Sequence, residues 1–378
     1  MIHQTIELGA STGLAPIRCR NCQGADGELV LDLGLQPGCE QFPEPGDEGP
    51  DPVHPLRMWF CGSCELAQLA EDPGLVEAPV GVEPRAMREQ AARVADRLSG
   101  LGWLTGSVME FGSPHGGSWL PLVTDRGLTA GVDRADVVLD TYGLLHEPRQ
   151  DSALRERAAA VAPGGVLVLQ LHSLATVLRH RQWGELRHGH HAYWSVPALR
   201  NALGPHGLGV HRAWRYPMGG GTVVVVAKHH AEPDAETARV LADERAVGVA
   251  DPTALRELQR HADTDAATLR TWLTARRREG RRVYGYGAAS RSVPVLCHAR
   301  VDRGLLVGVG DASPGKQNRR IPGTDVPVIA PADLVAARPD DVLLFLPDLL
   351  DEVRQAMPEI EAAGGRWVLL SDVLGAGG

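Results

Sequence analysis

The sequence predicts an α/β chain in three parts: a zinc-binding module over residues 1–72, a shortened Rossmann-like domain over 73–230, and a second Rossmann-like domain over 231–378. Three observations predict it. Two Cys-x-x-Cys pairs stand near the N-terminus, an apolar strand runs into a glycine-rich turn near residue 110, and the same strand-to-glycine pattern returns near residue 285. A chain of 378 residues is long enough for two or three cores. Hydrophobic residues at 43% and charged residues at 22% suit a globular protein and exclude disordered, collagen-like and coiled-coil chains. Apolar runs such as Val223–Ala227 fall far short of the roughly 20 residues a membrane helix needs, and Met1-Ile-His-Gln4 lacks the basic start of a signal peptide. A cytoplasmic protein with no membrane contact is expected. The net charge of −9 argues against nucleic acid as a partner but allows small anions in a local cationic pocket. Lys228 and Lys316 are the only lysines in an arginine-rich chain, which singles out Lys316.

Cys19-Arg-Asn-Cys22 and Cys61-Gly-Ser-Cys64 flank residues 23–60, which read as a hairpin. Four thiolates complete the tetrahedron zinc favours and leave no open position, so Cys19, Cys22, Cys61 and Cys64 are expected to hold a structural Zn²⁺. The Pro- and Gly-rich stretch Pro43–Pro55 is a poor core former, so zinc should supply the module's stability. Cys39 and Cys297 stand alone and read as ordinary small side chains.

A helix is expected over Glu83–Leu98, with Met87, Ala91, Val94 and Leu98 on one stripe. Ser107-Val-Met-Glu110-Phe-Gly112-Ser-Pro-His-Gly116-Gly117 then runs from a strand into a glycine turn. Glu110, Gly112, Gly116 and Gly117 resemble the loop that receives S-adenosylmethionine in class I methyltransferases. Ala135–Leu139 reads as a strand, and Val161–Gly165 followed by Val166–Leu169 as a late helix, turn and strand of that fold. A helical segment over about Glu232–Glu279 leads to the second unit. Its strands are expected at Arg282–Gly287, Leu305–Val309, Val342–Leu346 and Trp367–Leu370, with Ala288–Ser292 opening a helix whose N–H groups could meet an anion.

The order of motifs resembles the S-adenosylmethionine-dependent C-methyltransferases that act on nucleotide-linked keto-deoxysugars in antibiotic biosynthesis. At the N-terminal end the residues are Leu31–Gly34, Gln36-Pro37 and Cys61–Leu69. At the C-terminal end they are Gly285-Tyr-Gly-Ala-Ala-Ser-Arg-Ser292, Gly310-Asp-Ala-Ser-Pro-Gly-Lys-Gln317, Arg320–Thr324 and Val326–Val328. The resemblance implies a truncated class I methyltransferase domain between the zinc module and a nucleotide-sugar-binding domain. It also implies a base that removes the proton beside the sugar ketone. Tyr193 and Ser195 fit the family motif Y-H-E-H-x-x-Y-x-S, which places His188 and His190 on its two histidines, the second as base. His146 fits a further histidine beside the sugar. The nucleotide diphosphate, thymidine diphosphate in that family, would lie near Gly285, Gly287, Ser290, Arg291 and Ser292, with Asp311, Ser313, Lys316, Gln317 and Arg320 close by. The oligomeric state is left open.

Departures from the family pattern fall on the chemistry. The tetrad reads Arg187-His188-Gly189-His190, Ala78–Pro84 lacks the family's tyrosines, and Thr141-Tyr142 replaces Asn-Asn before His146. Residues 118–134 are too few for a second strand, its helix and an adenine-contacting loop, and Asp125 or Asp133 would have to serve the ribose. Three functions therefore stand: a divergent sugar C-methyltransferase, a repurposed enzyme that moves protons beside a carbonyl without a methyl donor, and an inactive paralogue that binds a sugar nucleotide or a partner.

Overall fold

Alternating apolar residues build the first sheet. β1 (Gly27–Pro37) and β2 (Val53–Cys61) form the expected antiparallel hairpin, and β3 (Ala67–Leu69) adds to β2. The computed structural model describes residues 16–47, 49–75, 81–131, 133–217 and 221–375, so the N-terminal tetrapeptide and residues 78–80 of the tyrosine-free stretch lie outside it. Successive strand residues face opposite ways. Leu56, Met58 and Phe60 therefore enter a core shared with Leu255 and Leu258 of the helix Pro252–Arg278, and with Ile321. Trp59 and Cys61 enter another, shared with Leu144, Leu169 and Trp194. The module is wedged between both larger domains and buries its apolar residues against them.

The middle domain carries β4 (Ser107–Phe111), β5 (Thr129–Ala130), β6 (Ala135–Thr141), β7 (Val161–His172), β8 (Ala192–Tyr193), β9 (Leu208–Tyr216) and β10 (Thr222–His229). Its six-stranded sheet has the order β5-β4-β6-β7-β10-β9, parallel from β5 to β7 and antiparallel at β10. Both faces are covered: Leu167, Leu169, Val223 and Val225 enter one core, and Val166, Val168, Val224 and Val226 the other. That double burial is why these strands read as unbroken apolar runs. β8 leaves the domain and pairs with β3, extending the zinc module's sheet.

Residues 118–134 do hold a second strand, contrary to expectation. The helix Leu120–Thr124 is a single turn, and β5 is a two-residue strand parallel to β4. Bonds from Leu128 N to Val123 O and from Thr129 N to Gly106 O fold the segment tightly enough to fit. β6 then follows at once on the other side of β4, so among the described residues no third strand lies beyond β5.

The segment expected as one helix over 232–279 is two, Ala235–Val247 and Pro252–Arg278. Gly248, at φ +92°, ends the first in the left-handed conformation that glycine tolerates. The C-terminal strands β11 (Val283–Tyr286), β12 (Val309–Gly310), β13 (Val328–Ile329), β14 (Asp341–Leu344) and β15 (Arg366–Leu369) form one parallel sheet ordered β13-β12-β11-β14-β15. The strand expected over Leu305–Val309 begins only at Val309. Asp302 takes N–H bonds from Leu305 and Leu306, which bends the chain there into a turn. The expected helix after β11 runs over Ser292–His298, leaving 288–291 as a turn.

One buried ion pair positions the turn after β6. Arg157 Nε donates to Asp140 Oδ2 at 2.7 Å with both side chains almost wholly enclosed, and Asp140 Oδ1 accepts from Leu144 N at 3.0 Å. Arg157→Met should cost about 3–5 kcal/mol in urea unfolding, because it leaves a buried carboxylate without its cation. Adding Asp140→Asn to that variant should recover part of the loss.

Candidate functional site

The expected zinc ligands come first in the chain and lie together. Cys19 Sγ lies 3.4 Å from Cys64 Sγ and Cys22 Sγ 3.6 Å from Cys61 Sγ, and the four sulfurs lie within 4.8 Å of one another. A tetrahedron with Zn–S bonds of about 2.3 Å has edges of about 3.8 Å, so the set fits zinc. Backbone N–H groups of Asn21 and Cys22 point at Cys19 Sγ, as a turn clasping a thiolate requires. A hydrogen bond from Cys19 is the main influence drawing the Cys64 thiol down to about 5. Cys39 and Cys297 lie apart, Cys297 Sγ donating to Pro322 O.

The second cluster gathers at the carboxyl ends of the parallel strands, where open α/β sheets bind ligands. His115 lies in the glycine turn after β4, His146 ends the turn after β6, and His172 is the last residue of β7. His190 comes from the loop before β8, tied to the turn by His191 N donating to Leu145 O at 2.7 Å. Ring centroids of His190 lie 4.7 Å from His146, 5.7 Å from His172 and 6.5 Å from His115. Tyr142, at φ +66°, stacks on His172 at 4.8 Å. Such non-glycine left-handed backbone is costly and tends to mark functional sites.

His188 does not join the cluster. Its Nε2 lies 3.1 Å from Pro55 O, and its ring meets His54 on the zinc-module side. Gly189 between the two histidines sits at φ +87°, a conformation that glycine adopts without strain. Tyr193 supports the loop: its hydroxyl accepts from Arg187 N and donates to Glu185 O. Ser195 caps the helix Val196–Leu203.

Burial first, then the charge of Arg187, holds His190 well below the ordinary histidine value, which favours its neutral form. Burial likewise takes His172 down to about 3. Arg187 Nη2 lies 2.8 Å from His190 Nε2, and Nη1 bonds Ser290 Oγ of the C-terminal domain. Burial works against the charge on Glu185, but Arg291 at 2.8 Å together with His172 and Arg187 outweighs it and holds the carboxyl below its ordinary value. Nitrogens of His115, His146 and His190 lie within 4.8 Å of one another, close enough for a metal ion. Arg187 places a permanent cation 2.8 Å from His190 Nε2, which opposes a second cation beside that nitrogen.

The glycine turn fits the methionyl end of S-adenosylmethionine. Gly112 faces open space, Gly116 and Gly117 take φ of +81° and +83°, and a Cβ on Gly143 would lie 2.8 Å from Gly112 O. Glu110 braces the turn, accepting from Trp119 N at 2.7 Å and from Ser118 Oγ. Asp133 is exposed just beyond β5, at the strand end where this fold places a ribose-binding acid, whereas Asp125 lies before that strand. Among the described residues no third strand lies beyond β5 on this side of the turn.

The C-terminal turns divide by role. Ser290 and Arg291 face the histidine loop, and Ser292 Oγ donates to Ala289 O. Gly285 lies in β11 against Phe345, and Gly287 turns the chain at φ +87°. Asp311 accepts from Ala288 N and Ser313 N, while Gln317 Nε2 donates to Asp311 O. Ser313 Oγ accepts from Val82 N, in the segment leading back to the middle domain. Lys316, buried, donates to Ala288 O at 2.9 Å and lies 3.9 Å from Glu40. Arg320 forks onto Asp51 of the zinc module. These two cations knit domains together.

A cleft of about 630 Å³ opens between the middle and C-terminal domains. Arg179, Arg181, Arg215 and Arg291 line it, with Trp183 and Phe345 as apolar walls. Trp183 Nε1 donates to Asp265 at 2.9 Å. Glu185 and Arg291 belong both to this wall and to the surroundings of His172, so the cleft adjoins the histidines. Sequence reasoning missed Arg179, Arg181, Arg215, His115 and His172.

Residues 217–370 match the model for a C-methyltransferase C-terminal domain, and residues 19–73 the model for a zinc binding domain. The C-methyltransferase NovU of Streptomyces niveus is 24% identical over 357 residues, spanning 91% of this chain and 72% of that protein. Among solved structures, magnesium protoporphyrin IX methyltransferase of Synechocystis PCC 6803 with bound SAH is similar at a TM-score of 0.30. It is 13% identical, over 38% of this chain and 83% of that one. A Burkholderia thailandensis 1,6-didemethyltoxoflavin-N1-methyltransferase gives a TM-score of 0.28 and 15% identity, over 44% of this chain and 96% of that one. The two domain matches and the relative that runs between them support an enzyme with C-methyltransferase function.

Proposed function

We propose that this enzyme, whose C-terminal part matches a C-methyltransferase domain and whose N-terminal part a zinc binding domain, methylates a carbon beside the ketone of a nucleotide-linked deoxysugar. The carrying observation is the histidine cluster at the strand ends of the middle domain, opening beside an arginine-lined cleft. Arginines offer a diphosphate forked, permanent charge inside a chain of net charge −9. The nucleotide diphosphate, thymidine diphosphate by resemblance, then lies along Arg179, Arg181 and Arg215, and the sugar points toward His190. Neutral His190 takes the proton next to the ketone, while His146 beside it contacts the sugar oxygens. S-adenosylmethionine, held by Gly112, Gly116 and Gly117 with Asp133 at the ribose, supplies an electrophilic methyl group when bound.

The lack of a third strand beyond β5 among the described residues favours a second reading, in which the same base moves protons without a methyl donor. Incubation with a thymidine diphosphate-linked keto-deoxyhexose and S-adenosylmethionine decides between them: the product should gain one methyl group. Titration calorimetry with S-adenosylhomocysteine should show binding. No heat at millimolar ligand, together with deuterium uptake beside the ketone, would establish the second reading instead.

A further inference from the structure

Arg187 joins the histidine loop to the C-terminal domain. Its guanidinium is buried, anchored by Ser290 of the C-terminal domain on one arm and by His190 on the other. Arginine has no acceptor atom and keeps its charge, so it must be the donor in the 2.8 Å contact with His190 Nε2. Neutral His190 therefore carries its own proton on Nδ1, and the lone pair on Nε2 is taken. A base needs that lone pair. In the substrate-free protein the nitrogen nearest this cation is covered.

We propose that Arg187 is a catalytic residue that hands its N–H from His190 to the substrate's ketone oxygen, uncovering the base and receiving the enolate charge in one move. The inference rests on the proposed function and adds a group to it. When the ketone oxygen takes the guanidinium N–H, Nε2 is free to accept the proton from the neighbouring carbon. The C–H bond breaks, its electron pair passes through carbon to oxygen as enolate, and the proton makes His190 imidazolium. In D₂O the imidazolium exchanges this proton for a solvent deuteron, and return of the deuteron to carbon restores ketone and neutral base, so exchange needs only solvent. Two features suit Arg187 to the task. The donor already lies beside the base, so it reaches the oxygen where charge develops without reorganising. Its second arm is held by Ser290, next to Arg291 on the cleft wall, which couples the hand-over to occupation of that cleft.

Two measurements test it. In the free wild-type protein, ¹⁵N-histidine NMR should find His190 as the Nδ1–H tautomer, its resonance assigned by loss in His190→Gln. Adding a thymidine diphosphate-linked keto-deoxyhexose should shift the Nε2 signal as its hydrogen bond from Arg187 is withdrawn. In D₂O without methyl donor, wild-type enzyme should deuterate the carbon beside the ketone. Arg187→Met should slow this about 100-fold or more, as expected for losing an oxyanion donor. Arg187→Lys, charged but unforked, should recover only part of the rate. An Nε2–H tautomer in the free wild type overturns the inference and needs no variant to fold. So does a folded Arg187→Met that exchanges at the wild-type rate, and that result leaves the proposed function standing. A wild type that neither exchanges nor methylates overturns both.

Discussion

His190→Gln is expected to lower methylation of a nucleotide-linked keto-deoxysugar about a thousandfold, within the range a positioned general base contributes. Glutamine retains an acceptor for the Arg187 guanidinium, so the loop between Glu185 and Tyr193 should keep its conformation and nucleotide binding should stay unchanged. The same reasoning sets the pH dependence. Burial and Arg187 lower the value at which His190 gains a proton, and the neutral form is the base. The acid limb of kcat/KM that belongs to His190 therefore lies well below pH 6.5, and activity should hold level as pH falls through that value. A limb at the ordinary histidine value would contradict the assignment, as would a His190→Gln enzyme with full turnover.

The parts of this site that were legible in the sequence rest on short-range patterns. Cys19 to Cys22 and Cys61 to Cys64 each close a turn within four residues, so spacing alone identified them. Strands such as β7 and β10 were legible because burial on both faces leaves almost no polar residue in them. His190 was legible through its motif, but its distinction from His188 was not. Two residues apart around a left-handed glycine, one ring faces Pro55 and the other His146, and only the folded loop separates them. His115 and His172 meet His190 from strands far apart in the chain, which no local pattern records. Lys316 illustrates the opposite case. A lone lysine beside a glycine turn suggests a phosphate ligand, yet its ammonium group is enclosed by Ala288 O, Glu40 and the ring of Phe42. The module's stability was also misjudged from composition: Pro43–Pro55 is indeed poor in core residues, but the flanking strands bury theirs in the two larger domains.

That shared burial shapes what zinc removal should do. Structural zinc sites bind with about 10–16 kcal/mol in isolated finger peptides, which unfold without metal. Here Leu56, Met58 and Phe60 stay packed against the helix Pro252–Arg278 whether or not metal is present, so the hairpin should survive. The knuckle at 19–22 should not. It docks on the middle domain through Gln150 N to Arg20 O and holds β3 through Arg20 Nε to Leu69 O. β3 in turn pairs with β8, and Leu69 N donates to His191 O at 3.1 Å, one residue from the base. Chelation, or Cys61→Ser, is therefore expected to abolish turnover while most of the far-ultraviolet circular dichroism remains. Backbone hydrogen exchange should rise first at residues 19–24, 67–69 and 190–193. Native protein should carry one zinc per chain, and restoring it to the chelated enzyme should restore activity. Zinc-stripped enzyme with full turnover would mean that the histidine loop is held by its own domain alone, and that β3 contributes nothing to placing His190.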